Sequence, residues 1–473
     1  MVSSASGTRT DLDGEDKWQP ARLIPTSGIK GVDEQEKRAT SALLSVMMAV
    51  PDFSRILLKK ADAPAGQLKT YIEPEFTLDA GTKIRPDGAL IVRRGASIWK
   101  ALVEVKTGTN DLRRDQIEAY LDLARHRGFN TVITISNQLS IASEEHPLAV
   151  DRRLTRKVGL FHWSWVEILT EAVVQREHRG IQDPDQAWIL GELIAYLKHP
   201  QSGAMQFQDM GPNWVSVREA ARDGMLHPQD TGVNEVVVKW DQFIQYLCLH
   251  LAGDLGVDVS QVLAKPERDS PAVRKQNLVR QLVQTKSLVA TIRVKNAASP
   301  ITLTAALDAR TITASVTLDA PGEGRPLTRL NWLIRQLNDA PDHARVSSTF
   351  ANVRDGNSGK LSDLRGNPTA LLLTDKTRAP RSFTVSLMKD MGTKRSGTSG
   401  SFIGEATELL LSFYRNVVQG LRPWASVAPK LPVSRDLLDI AGQPENVVDE
   451  VAKTESLAAA RDTSAVQAVA DDQ

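Results

Sequence analysis

The sequence predicts an α/β domain followed by a second α+β domain. Three observations carry this expectation. Between residues 31 and 195 the apolar periods run helix–strand–hairpin–helix–strand–helix, the order of a layered α/β unit. After "KHPQSGAMQFQDMGP" the pattern restarts. From Ser287 three segments alternate apolar and polar residues at the strand period, with turn signals between them.

Taken in order, residues 1–30 lack apolar periodicity and read as a disordered leader. A helix begins in "DEQEKRATSALLSVMMAV", with Asp33 as N-cap and Pro51 as its stop. "QLKTYIEPEF" reads as a strand, and residues 83–108 as a hairpin. The next helix, "NDLRRDQIEAYLDLARHRG", is expected to start at Asn110 or Asp111 and to stop at Gly128. "NTVITISN" is a short strand, and "VGLFHWSWVEILTEAVV" a strand running into a helix. Residues 196–231 read as a linker. The second domain, 232–430, opens on the amphipathic helix "EVVVKWDQFIQYLCLHLAGDLG" and continues through three strands and the helix "TRLNWLIRQLNDAP". Strands near "TALLLTD" and "SFTVSLM" and a last helix, "IGEATELLLSFYRNVVQGL", complete it. Residues 431–473 read as an acidic, disordered tail.

The chain has 473 residues, 41% hydrophobic and 24% charged, so core material is ample and no staple is needed. Its single cysteine, Cys248, excludes an internal disulfide and any multi-cysteine metal site; a buried position on a helix is expected. No apolar run reaches the roughly 18–20 residues of a membrane span, and the polar N-terminus carries no signal-peptide core. A cytoplasmic protein with no membrane partner is the expectation. The net charge of +1 hides an asymmetry. Residues 232–430 hold 26 Lys and Arg against 17 Asp and Glu, whereas residues 431–473 hold 3 against 9. A basic surface of this kind sits on nucleic acid or is merely solvated.

The hairpin carries the chemistry. Gly95-Ala96 suits a two-residue type II′ turn. Residues whose numbers sum to 191 then face one another, which sets Asp87 opposite Glu104. Strand alternation puts Lys106 on the face of Glu104, with Val103 and Val105 on the other. Directly opposed carboxylates repel by a few tenths to about one kcal/mol. A divalent cation between them would remove that cost. Mg²⁺, with Mn²⁺ as a substitute, suits two carboxylates plus the main-chain carbonyl of Val105, because it keeps several waters and often takes only one or two protein carboxylates. The bland alternative is a salt bridge between Lys106 and one of the acids.

Pro86-Asp87 followed by Glu104-Val105-Lys106 resembles the PD-(D/E)XK nuclease superfamily. In the next helix Gln116 and Tyr120, in "QIEAY", resemble the QxxxY motif of its RecB-like branch, and "VKTG" is similar to that branch's lysine-threonine-glycine run. The resemblance covers about residues 31–195. It implies a restriction-endonuclease-like α/β sandwich, metal ligation by Asp87 and Glu104, Lys106 as the essential cation, and Gln116 and Tyr120 in support. Such families commonly add an acid from an upstream helix; Glu36 is the candidate, with Glu34 the weaker one. Glu73 and Glu75 share a strand face nearby. The chain departs from the RecB-like pattern in having no histidine before the hairpin, and it has no Walker A sequence. His126, His146 and His162 lack ligand spacing and read as structural. Trp163 and Trp165 read as core.

The implied activity is a metal-dependent nuclease hydrolysing DNA phosphodiester bonds, in repair or in defence against foreign DNA. A protein partner through the second domain is a further expectation. The alternative is a nuclease-like fold that binds nucleic acid or protein without cutting, in a stress or repair assembly. In "MGTKRSGTSGSFIGEATELL" a basic Gly/Ser loop opens a helix, either as a phosphate-binding loop with Lys394 and Arg395 or as a surface loop capped by Ser401.

Overall fold

The computed structural model describes residues 23–425 apart from 26–28, 30, 78–80, 82, 140–145, 205–206, 355, 376 and 398. Most of the expected leader and all of the expected tail therefore lie outside the described residues.

Helix α1 (Val32–Ala49) starts one residue before Asp33, on Gly31 rather than on an aspartate cap. Pro51 does stop it, and at once begins α2 (Pro51–Lys60) at 111° to it, since proline suits the first turn of a new helix. Strand β1 (Gln67–Ile72) and the short ribbon β2 (Phe76–Thr77) and β3 (Lys83–Ile84) lead to the hairpin β4 (Gly88–Arg94) and β5 (Ser97–Val105). Then follow α3 (Arg114–Arg127), β6 (Thr131–Ser136), β7 (Gly159–Ser164) and α4 (Trp165–Val173). Helix α3 begins four residues after Asn110, and Gly128 ends it in the left-handed conformation as expected.

The first sheet runs β1-β4-β5-β6-β7. The β1/β4 and β4/β5 pairs are antiparallel and the β5/β6 and β6/β7 pairs parallel. One face, with Leu90, Ala101, Val103, Val105, Ile133 and Ile135, packs on α1, α2, α4 and α5 (Pro184–Lys198). The other, with Leu102 and Val132, packs on Ile117, Tyr120 and Leu121 of α3. Helices thus cover both faces of a mixed sheet.

The stretch expected to be a linker is structured. Helix α6 (Trp214–Asp223) buries Trp214 completely in the second core. Next come α7 (Thr231–Leu255), β8 (Val259–Gln261), α8 (Lys265–Asp269) and α9 (Pro271–Thr285). Cys248 is buried on α7, where burial raises its thiol to about 12. Strands β9 (Ser287–Val294), β10 (Ile301–Ala306) and β11 (Thr311–Asp319) follow the expected alternation, every second side chain turning inward. They are succeeded by α10 (Pro326–Gln336), β12 (Arg345–Phe350), β13 (Ser358–Lys360), α11 (Leu361–Gly366), β14 (Pro380–Asp390) and α12 (Phe402–Asn416). The seven strands form an antiparallel sheet ordered β13-β12-β14-β11-β10-β9-β8. "TALLLTD" is not a strand. Pro368–Leu371 is a 3₁₀ turn whose Leu371 plugs the core.

The two halves pack together through α4 and α7, where Thr170 Oγ1 donates to the Leu249 carbonyl at 3.2 Å. The described residues up to Trp424 form one compact body. Among the described residues no single helix is long and apolar enough to cross a membrane.

Candidate active site

The hairpin register comes first, because it decides which side chains meet. Arg94 pairs with Ser97 and Gly88 with Val103, so one further step sets Asp87 against Glu104. Of the two turn residues only Gly95 has a positive φ, 57°, as a type II′ turn requires. Gly88 is needed for a different reason. A Cβ there would lie 2.7 Å from Leu44 Cδ1 and 3.1 Å from the Tyr71 carbonyl oxygen, so its absence lets α1 and β1 close against the strand beside Asp87.

Asp87 Oδ2 accepts a hydrogen bond from the Val105 amide at 2.7 Å. Glu104 is 1% exposed, and the Lys106 ammonium lies 2.7 Å from its Oε1. Among the described residues no donor meets hydrogen-bond geometry at either Glu104 oxygen, so this close ion pair is what answers its charge. Burial, then the Asp87 charge, pushes the Glu104 carboxyl up to about 8. Burial also raises Asp87, against the Val105 amide. For Lys106, burial favours the neutral amine, but Glu104, Glu36 and Asp87 outweigh it and raise the ammonium.

Lys106 is held from several sides. Its amide donates to the Ile135 carbonyl at 2.8 Å, its carbonyl accepts from Trp165 Nε1 at 2.9 Å, and its Nζ donates to the Val105 carbonyl at 3.2 Å. Glu36 arrives from α1, with Oε2 3.4 Å from Lys106 Nζ and Oε1 accepting from Asn110 Nδ2 at 2.9 Å and the Thr107 amide at 3.3 Å. Gln116 Nε2 donates to Tyr120 Oη at 3.1 Å, and Tyr120 Oη donates to the Arg85 carbonyl at 3.5 Å. Burial, then the Glu104 charge, raises the Tyr120 phenol, so it stays protonated.

All six side chains singled out in the sequence thus converge at one end of the first sheet. Other acids do not join them. Glu34 pairs with Arg38 at 2.8 Å, Glu73 with Lys37 at 3.1 Å and Arg85 at 3.4 Å, and Glu75 with Lys83 at 2.7 Å.

The sequence reading missed a polar extension of the same row. Glu104 pairs in register with Thr134, and Thr134 with His162. Thr134 Oγ1 lies 2.9 Å from His162 Nδ1 and 2.8 Å from His146 Nε2. His162 Nε2 lies 2.8 Å from the Gln138 carbonyl, which must accept, so Nδ1 is the bare nitrogen and the threonine hydroxyl donates to it. Burial lowers His162 to about 4, so the chain of hydrogen bonds is neutral. Asn110 and Trp165 were also missed as supports of Glu36 and Lys106. Trp163 and Trp165 do share a core, although Trp165 begins α4 rather than continuing the strand.

Among the described residues no group of three or more His, Cys, Asp and Glu is arranged to hold a metal. Two facing carboxylates, one of them buried with no hydrogen-bond donor, and the Val105 carbonyl are the donors present. Such an oxygen-only set suits a hard divalent cation such as Mg²⁺, whose charge would replace the proton that the buried pair otherwise retains.

No protein-family model matches the chain, and no curated protein matches it.

Proposed function

We propose that the chain is a metal-dependent nuclease of the PD-(D/E)XK type that hydrolyses DNA phosphodiester bonds, with residues 31–195 forming a restriction-endonuclease-like sandwich. The observation that carries this reading is the meeting of Asp87, Glu104 and Lys106 at one sheet end, with Lys106 Nζ 2.7 Å from Glu104 Oε1. The order β1-β4-β5-β6-β7, an antiparallel hairpin followed by a parallel strand across helix α3, supports the finer fold.

Asp87, Glu104 and the Val105 carbonyl would hold Mg²⁺ or Mn²⁺, which supplies Lewis acidity toward the scissile phosphate and toward water. The residues themselves do the rest. Asp87 is fixed for this by the Val105 amide. Lys106, kept protonated by its three acids, offers an ammonium that orients the attacking water and balances charge developing on the phosphate. Glu36, steadied by Asn110 and Thr107, holds that ammonium from the side of α1. Tyr120, a protonated phenol propped by Gln116, donates to substrate or keeps the carboxylates in place.

The test is incubation of the purified protein with Mg²⁺ or Mn²⁺ and single-stranded, duplex and branched DNA and RNA, beside Lys106→Ala. Metal-dependent DNA cleavage lost in the variant is expected. Cleavage surviving in Lys106→Ala would assign the activity to another site or a contaminant. Salt-sensitive binding with no cleavage of any substrate would replace the enzyme by a binding module.

A further inference from the structure

Helix α6 turns Trp214, Val217, Arg218 and Ala221 inward. A guanidinium therefore stands in a stripe that is otherwise apolar. Arg218 is 5% exposed, yet among the described residues its Nε has no partner, and its one hydrogen bond there runs from Nη1 to the Gly392 carbonyl at 3.3 Å. No ion pair joins it to a carboxylate among the described residues. Its charged neighbours are a second cation, Arg310, and the acid Glu219; burial, then Arg310, lowers the Arg218 pKa against the smaller pull of Glu219.

Arg310 sits at the turn between β10 and β11 with an exposed side chain and a φ of 55°. Its carbonyl accepts from the Met391 amide at 2.8 Å. Both arginines thus flank the start of the Gly/Ser loop 391–401, one through Gly392 and the other through Met391. The loop is docked. Gly397 donates its amide to the Gln208 carbonyl at 3.1 Å, and Arg395 Nε lies 3.4 Å from Asp209 Oδ1. Ser401 caps α12 through the Gly404 amide, so the capping role expected of it holds, without excluding an anion at the loop's other end.

A guanidinium stays charged under all ordinary conditions. Burying one with no carboxylate at ion-pair distance, beside another cation, costs free energy twice, through desolvation and through repulsion, and the charge of Glu219 offsets only part of it. One anion removes both costs, and the forked donors of arginine match phosphate oxygens. The surrounding half of the chain carries the surplus of 26 basic over 17 acidic residues, which suits a polyanion rather than a lone ion. We propose that Arg218 and Arg310, at the foot of loop 391–401, bind a backbone phosphate of a nucleic-acid strand. The identity of the polymer rests on the nuclease reading; the anion site does not.

The test uses the full chain with a chelator present, so that binding is read apart from cleavage. A fluorescent DNA oligonucleotide is titrated over a salt series with wild type, Arg310→Ala and Arg310→Lys, alongside melting curves with and without inorganic phosphate. Arg310→Ala is expected to weaken DNA binding by about three- to tenfold and to lower the salt slope by about one, with partial rescue in Arg310→Lys. Arg218→Gln should do the same if it folds; the exposed Arg310 decides the matter if it does not. Equal affinity and equal salt slope in wild type and Arg310→Ala, with no phosphate-dependent rise in melting temperature, would overturn the site. A phosphate-dependent rise lost in Arg310→Ala while DNA affinity is unchanged would overturn nucleic acid as the ligand and leave a small phosphate. DNA binding that depends on Arg310 in a protein that cuts nothing when Mg²⁺ is supplied would sink the nuclease reading and keep this one.

Discussion

In the antiparallel sheet β8–β14, strands such as β9, β10 and β11 bury Leu, Ile, Ala and Val on one face and set Thr and Ser on the other. In the five-stranded sheet both faces are covered, so Ala101, Leu102 and Val103 of β5 are all buried, and Glu104, 1% exposed, then stands where an apolar residue would pack. Next to it Thr134 and His162 continue a polar row across β6 and β7. The first arrangement is locally consistent at every position; the second accepts desolvation and like-charge repulsion at one end. Departures from consistency tend to mark sites rather than scaffolds. The contrast therefore separates the part of the molecule shaped for packing from the part to which the proposed chemistry is assigned.

Truncating the packed sheet should give the largest effect. Phe383→Ala, at a fully buried position of β14, is expected to cost about 3–5 kcal/mol in chemical denaturation. A loss below about 1 kcal/mol would mean that this sheet is not the stabilising scaffold it resembles. At the other sheet, Lys106→Ala should reduce metal-dependent cleavage by about 10²–10³-fold while circular dichroism stays native. A small rate effect would break the assignment of chemistry to that end.

The pH dependence sharpens the comparison further. Glu104 moves from 4.5 to about 8 on folding, so in the metal-free protein the folded state keeps a proton that the unfolded chain releases across that window. Stability therefore falls as pH rises through it. His162 moves from 6.5 to about 4; the unfolded chain binds the proton first, so stability falls as pH drops through that window. Glu104→Gln should flatten the alkaline limb of a melting-temperature profile and leave the acid limb standing. Added Mg²⁺ should raise the wild-type melting temperature more on the alkaline limb than on the acid one, and not do so in Glu104→Gln. The smallest effect is at the turn. Gly95→Ala meets open space but keeps a φ of 57°, so a loss of about 1–2 kcal/mol is expected from backbone strain alone, read from the denaturation midpoint.

How much of this could be read beforehand differs by region, for physical reasons. The pairing of Asp87 with Glu104 was legible because a two-residue turn leaves only one register for the strands it joins. Strands β9 to β11 were legible because alternation survives on an open, half-polar sheet. The row Glu104–Thr134–His162 was not, since parallel strands joined through helix α3 or a long loop carry no local mark of their register. The three leucines of "TALLLTD" look like a strand because a 3₁₀ turn that plugs a core uses the same residues. Helix α6 was hidden by its polar flanks, although Trp214 was a signal against a plain linker. The start of α3 was misjudged because Asn110, a good cap by type, instead donates its amide to Glu36.

Helix α4 belongs to both halves. Trp165, Ile168 and Ala172 pack in the core of the first sheet, and Val166 against that of the second; its first residue grips the Lys106 carbonyl while Thr170 grips α7. The strut on which Lys106 leans is thus braced from the opposite half of the molecule. A fragment ending before residue 231 would keep every residue of the hairpin and lose that brace, so its idleness in an assay would say nothing about the chemistry of the intact chain.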